Sequence, residues 1–219
     1  LTRKPIIYFI GSILDNLSSS NAIICGAGFQ NYNAPVNNKP LKIVAVRGPL
    51  TRKIFLINNI DCPEIYGDPA ILLPYFIIPS SDKKRWDVGI VAHYVDKAVL
   101  DKVNIINCDY SYKIIDVESE IDEFVQDICS CRYIISSSLH GLIVSHAYDI
   151  PATWIKLSDK IIGGDFKFND YFYSTGDNKM TPYIVSKELS LDRVVNMSVL
   201  YDITQLRSKL MNVLSEYFR

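Results

Sequence analysis

Short β-rich apolar runs alternate with amphipathic stretches along this chain, an order that predicts a parallel α/β architecture. The runs predicted as strands are Ile6–Ile10, Ala22–Cys25, Lys42–Val46, Trp86–His93, Ile114–Val117, Tyr133–Ser136 and Thr153–Lys156. Several are continuously apolar rather than alternating, as strands covered on both faces must be. Helix starts fall between them. In Asp68-Pro69-Ala70 the Asp suits a cap and the Pro suits a first helical turn. Ser119-Glu120-Ile121-Asp122 resembles a capping box, followed by an apolar stripe of Ile121, Phe124, Val125 and Ile128. A last helix is predicted from near Asp202, burying Ile203, Leu206, Leu210 and Leu214.

A polar, turn-prone stretch, Pro79-Ser80-Ser81-Asp82-Lys83-Lys84, interrupts the apolar pattern and predicts a linker. It divides the chain into α/β units of residues 1–80 and 81–219. The segment Ile161–Asn178 has weak periodicity and reads as a long loop, of a length that tends to be functional. The chain opens at Leu1-Thr2-Arg3 without an initiator Met, so the first unit is expected to lack an N-terminal portion.

Charge and cysteine content narrow the function classes. Lys plus Arg number 23 against 24 Asp plus Glu, with no long basic run, which argues against nucleic acid as a partner. Five cysteines without a Cys-x-x-Cys, beside three histidines, form neither a disulfide framework nor a zinc site. They read as small buried hydrophobes in a reducing compartment. No apolar run approaches the roughly 18 residues of a membrane span, and no signal peptide is evident.

Chemistry concentrates where Cys131–Ile135 ends in Ser136, Ser137 and Ser138, and where Leu139-His140-Gly141 then opens an apolar helix. Strand C-termini facing helix N-termini are where α/β folds bind ligands, because free N–H groups and the helix dipole attract phosphate or carboxylate. A histidine there can give or take a proton near neutral pH. The same residues also read as a serine-rich cap with a structural histidine.

Arg47 ends the strand Ile43–Val46 ahead of Gly48-Pro49-Leu50-Thr51-Arg52. It offers a planar fork for carboxylate or phosphate, or else a surface ion pair. Cys25-Gly26-Ala27-Gly28 follows a strand, but Asn31 breaks the dinucleotide fingerprint, so these glycines read as a tight turn or close backbone approach. His93 ends a strand and could line the same cleft, while His146 reads as structural. Lys167 and Asp170 in the long segment could reach a ligand or remain solvated. There is no Asp-x-Asp, Walker loop or Gly-x-Ser-x-Gly elbow, so metal-dependent sugar transfer, NTP hydrolysis and serine esterase chemistry lack support.

Taken in order, several segments resemble the polysaccharide pyruvyltransferase family, particularly its exopolysaccharide branch. They are Phe9–Leu14, Cys25–Phe29, Val46–Arg52, Tyr66–Pro74, Ala92–Asp96, Ser137–Leu142 and Phe166–Tyr171, running from residue 9 to about 176. The resemblance implies two Rossmann-like lobes facing across a cleft, as in GT-B glycosyltransferases, with the N-terminal, acceptor-side lobe incomplete. It implies phosphoenolpyruvate as donor, no metal and no cofactor, and a glycan or lipid-linked oligosaccharide as acceptor. His140 would be the proton donor, with Arg47 and the amides at the start of the His140 helix holding the donor's negative groups. Ser136, Ser137, Ser138, Leu139, Gly141 and Lys167 would complete the donor side, and Gly28, His93 and Asp68 would line the cleft or meet the acceptor. The resemblance further implies a bacterial, cytoplasmic protein, peripheral at the inner membrane or associated with other polysaccharide-synthesis enzymes. Two features depart from the family: no initial strand with an Asn-x-Gly-Asp-type loop precedes Leu1, and some relatives carry Arg where this chain has Ser138. The competing readings are a nucleotide-sugar glycosyltransferase of the same architecture and a non-catalytic, glycan-binding scaffold.

Overall fold

The computed structural model describes residues 4–81, 83–106 and 109–218. In chain order its strands are β1 Ile6–Tyr8, β2 Ala22–Cys25, β3 Lys42–Ala45, β4 Trp86–Val91, β5 Asn104–Ile106, β6 Tyr112–Ile115, β7 Cys131–Ser136, β8 Ala152–Lys156, β9 Tyr183–Ile184 and β10 Glu188–Ser190. Its helices are α1 Pro49–Ile57, α2 Lys97–Leu100, α3 Ile121–Cys129, α4 Leu139–Ala147, α5 Phe166–Ser174, α6 Leu191–Asn196 and α7 Thr204–Tyr217. The strands form three sheets, ordered β1-β2-β3, β10-β5 and β6-β4-β7-β8-β9, and every named pairing is parallel. No helix among the described residues is long and apolar enough to cross a membrane.

The chain divides into two compact units. The first takes the chain up to Leu72, Ile162–Met180 and the chain from Asp202 onward. The second takes Leu73–Ile161 and Thr181–Tyr201. This differs from a division into residues 1–80 and 81–219 in two ways. The chain leaves the first unit within the 3-10 turn Pro69–Tyr75 rather than at the polar stretch, where Ser80 is already bonded to Gln126 of α3 in the second unit. It also returns twice, so α5 and α7 belong to the first unit.

Unit one is built on β1-β2-β3, whose β2 is buried along its whole length. Leu14, Ile24, Phe29, Phe55 and Phe166 form its core, with the Phe29 and Phe55 rings 5.1 Å apart. A buried polar knot lies beside that core. Arg47 follows β3 and has no solvent exposure, and its Nε donates to Asp170 Oδ2 at 3.0 Å. Nη1 donates to Ser12 Oγ, and Nη2 to the Phe29 carbonyl at 2.6 Å. Asp170 also accepts from the Thr51 amide at 2.9 Å and the Thr51 hydroxyl at 2.7 Å, so a carboxylate on α5 satisfies the open N-terminus of α1. Two glycines make room for this. A Cβ on Gly28 would collide with the Arg47 guanidinium, and one on Gly48 with the Asp170 carbonyl.

In unit two, Val88, Ile90, Ile135 and Ile155 pack against Leu189, Leu191 and Val194. The central strands match the continuous apolar runs, but edges differ from the sequence expectation. β1 stops at Tyr8 and β4 at Val91, and the third sheet's outer strand β6 shifts to Tyr112–Ile115 because it registers against Val88–Val91. β5, β9 and β10 span two or three residues each, too short for a periodic pattern. The segment expected as a long loop contains α5, in which Phe166, Phe168, Tyr171 and Phe172 are buried. Aromatic residues are mediocre helix formers, so tertiary burial decides that element. At α3 no capping box forms: the Ser119 hydroxyl donates to the Asp116 carbonyl and Glu120 stands at the N-cap without a side-chain cap bond. Cys25, Cys62, Cys129 and Cys131 are buried free thiols, and Cys108 lies outside the described residues. Burial pushes the Cys25 thiol up to about 11 and that of Cys62 up to about 12, which makes them inert near neutral pH.

Removing one member of a buried ion pair strands the other, at about 3–5 kcal/mol. Arg47→Met and Asp170→Asn should therefore each lower unfolding free energy by that amount in urea titrations. The double variant should lose far less than the two losses added, and strict additivity would show that the pair does not organise the unit.

Candidate functional site

In the five-stranded sheet of unit two, β4 comes first in sequence, β6 joins it on one side and β7 on the other. The strand order reverses between β4 and β7, and ligands of open α/β sheets bind outside the carboxyl ends at such a point. The loops leaving these two strands carry His93 and the three serines.

Their backbones are stitched together. The Ser137 amide donates to the Val91 carbonyl at 3.0 Å, and the His93 amide donates to Ser137 Oγ at 3.0 Å. Ser136 Oγ accepts from the Ser138 amide at 3.0 Å and lies 3.1 Å from the Val91 carbonyl and 2.8 Å from the Ser138 carbonyl, both of which it can donate to. Ser137 Oγ donates to Asp96 Oδ2 at 2.9 Å, and Ser158, in the loop after β8, donates to Asp96 Oδ1. Asp96, Ser136 and Ser137 have no solvent exposure. A buried carboxylate thus ties three carboxyl-edge loops to one another.

α4 opens from this framework. Ser138 is its N-cap, in an extended conformation with no side-chain cap bond, so the amides of the first turn gain nothing from its hydroxyl. Leu139 is buried, and His140 is half-buried in that first turn. Gly141 is needed for packing, since a Cβ there would collide with Ser136 Oγ. Helix N-terminus, adjacent hydroxyls and a half-buried imidazole together can bind an anion and exchange a proton with it.

The sequence-selected residues fall into two groups. His93, Ser136, Ser137, Ser138, Leu139, His140 and Gly141 come together at this carboxyl edge. Arg47, Gly28, Asp68 and Lys167 belong to unit one. Arg47 was expected to hold the donor's negative groups, but its guanidinium is enclosed by Asp170, Ser12 and Phe29 of its own unit. Gly28 gives that guanidinium its space. Asp68 is buried, accepting from the Gly11 amide at 3.3 Å and the Ala70 amide at 3.0 Å, which caps the following 3-10 turn. Lys167 is half-buried on α5, its Nζ 5.6 Å from the centre of the Phe168 ring. Asp170, offered as a ligand-reaching loop charge, is the buried partner of Arg47. Asp96 and Ser158 were missed as site residues. Asp96 stands within the Ala92–Asp96 segment, but its burial and its tie to Ser158 are tertiary facts. Among the described residues no three His, Cys, Asp or Glu side chains group as metal ligands would.

His146 lies farther along α4 with its ring edge against Tyr201, 5.1 Å between centroids. Burial pushes its pKa down to about 4, opposed by a hydrogen bond with the Val199 backbone. A depressed folded-state value contributes stability that is fully present above the unfolded value and lost as pH falls toward 4. The size is about 3 kcal/mol. His146→Phe should flatten the fall in unfolding free energy between pH 7 and pH 4.5, and an unchanged slope would locate that dependence elsewhere.

Comparison with known proteins converges on one family. A family model described as polysaccharide pyruvyl transferase matches residues 3–159, which include the whole carboxyl-edge constellation. An uncharacterized protein, L143, of Acanthamoeba polyphaga mimivirus is 30% identical over 99% of this chain and 78% of its own length. Succinoglycan biosynthesis protein ExoV of Rhizobium meliloti (strain 1021) is 26% identical over 76% of this chain. The match spans only 52% of ExoV. On the extent of that match, which takes in Ser136–Gly141 at the carboxyl edge of a parallel sheet, the chain belongs to the polysaccharide pyruvyl transferase family.

Proposed function

We propose that this protein transfers a pyruvyl group from phosphoenolpyruvate to two neighbouring hydroxyls of a sugar, in a polysaccharide or its lipid-linked precursor, forming a cyclic ketal. The observation that carries this reading is His140 in the first turn of α4, at the point where the order of a parallel sheet reverses. Each compact unit is read as a Rossmann-like lobe of the GT-B kind. Phosphoenolpyruvate is a cytoplasmic metabolite, so the reaction is assigned to the cytoplasm, with a lipid-linked acceptor presented at the inner membrane face.

In this account the Leu139, His140 and Gly141 amides and the Ser138 hydroxyl hold the donor's negative groups. Such preorganised donors typically contribute a few kcal/mol each. His140, as imidazolium, gives its proton to the methylene carbon, which becomes the methyl group, and C2 becomes an oxocarbenium-like centre. A sugar hydroxyl adds to C2 and returns a proton to His140. The C2–O bond to phosphate breaks, and the second hydroxyl closes the ketal while its proton leaves with the phosphate. Arg47 contributes by holding unit one in shape.

The test uses full-length protein, phosphoenolpyruvate labelled in its pyruvyl carbons, and lipid-linked oligosaccharide. Label should pass to the acceptor as an acid-labile ketal with stoichiometric phosphate release. Transfer of sugar from UDP- or CMP-sugars, with none from phosphoenolpyruvate, would make the protein a glycosyltransferase. His140→Gln should lower the single-turnover rate about 10²-fold or more while changing donor affinity by less than about threefold. A near-wild-type rate would remove His140 as proton donor and make His93 the next residue to replace.

A further inference from the structure

Asp96 is a carboxylate without solvent exposure, and both its oxygens are held by hydroxyls, those of Ser137 and Ser158. Its own amide donates to the His93 carbonyl at 2.7 Å. No described Lys, Arg or His forms an ion pair with it. In unit one the buried carboxylate of Asp170 pairs with Arg47, and that of Asp68 accepts from the Gly11 and Ala70 amides. Among the described residues Asp96 has no cationic partner. An asparagine of the same shape could bridge the same two serines, accepting from one hydroxyl and donating to the other. The bridge therefore does not require a charge, and burying one that is not needed is costly.

We propose that Asp96 is the positioning residue of this site and supplies the counter-charge for its proton donor. Two consequences follow from its place in the fold. Through Ser137 it fixes the residue just ahead of the N-cap Ser138, and so fixes the direction in which α4 presents its first-turn amides and His140. Through Ser158 it ties that turn to the end of β8, so that the β4, β7 and β8 loops move as one body. A negative charge held there, bonded to the residue just ahead of the N-cap Ser138, is favoured by the positive end of the α4 dipole. There it makes an imidazolium on His140 less costly, and at the same time it repels a bound phosphate. The inference rests on the reading of His140 as proton donor to phosphoenolpyruvate.

Removing the charge while keeping the shape should therefore have opposite effects on binding and turnover. Asp96→Asn should bind phosphoenolpyruvate as tightly as wild type or about 3–10-fold tighter, with kcat at least about tenfold lower and thermal stability retained or raised. A merely structural residue would instead lose kcat and raise KM in step with lost stability, and that result overturns the proposal. Unchanged kcat in Asp96→Asn also overturns it. Asp96→Ala should let the amides of residues 137–141 exchange with deuterium at least about tenfold faster in the absence of any substrate. Unchanged exchange overturns the clamp. Should Asp96→Ala fail to fold, Ser158→Ala serves the same exchange measurement, with a smaller acceleration expected. If wild-type protein transfers no pyruvyl group, the functional reading fails by itself, and the counter-charge fails with it. Amide exchange still decides the clamp.

Discussion

A guanidinium shut away from water must find a carboxylate and acceptors for its remaining N–H groups, and Arg47 sets that condition for the whole of unit one. Meeting it recruits Asp170 from 123 residues further along the chain, the Ser12 hydroxyl, and the Phe29 carbonyl. The same carboxylate closes the N-terminus of α1 through Thr51, so one ion pair joins the end of β3, the start of α1 and the middle of α5. The glycines of the unit follow from this. Gly28 and Gly48 stand where any side chain would occupy the space of the guanidinium or of the Asp170 backbone. A segment that reads as a stray loop charge thereby becomes the reason the chain returns to its first unit after Ile162.

Unit two answers a different constraint. Its parallel strands all end at one edge, and the loops leaving β4 and β7 at the reversal point must satisfy their own polar groups and still leave a helix N-terminus open. Ser136 and Ser137 do the first task, turning their hydroxyls inward to Val91, Ser138 and Asp96. The second follows because Ser138 caps α4 with backbone geometry alone. Among the described residues, two of the three buried aspartates thus serve opposite ends. Asp170 pairs with a cation and holds a framework, whereas Asp96 is held by the hydroxyls of Ser137 and Ser158 just ahead of α4.

Much of this was legible in the sequence, because strands covered on both faces leave continuous apolar runs. Ala22–Cys25, Val88–Val91 and Ile134–Ser136 lie within predicted strands for that reason. The serine-rich passage into the His140 helix was legible too, since a strand end followed at once by a helix start is local information. What failed was non-local. Arg47 stood out by its position, but its contacts depend on a partner more than a hundred residues away. α5 was hidden because Phe166, Phe168, Tyr171 and Phe172 owe their helical state to burial rather than propensity. In the sequence Asp96 is only the end of the Ala92–Asp96 segment, and the arrival of Ser158 from beyond β8 is what shows it to be enclosed.

On the proposed reading, donor anions are received at the start of α4, and Arg47 stays with its own buried partners. The most direct measurement is a titration of isotopically labelled protein with phosphoenolpyruvate, followed by backbone amide resonances. The amides of Ser138, Leu139, His140 and Gly141 should show the largest saturable shifts, while those around Arg47 and Asp170 stay in place. Saturable shifts centred on Arg47, with the first turn of α4 unmoved, would contradict it.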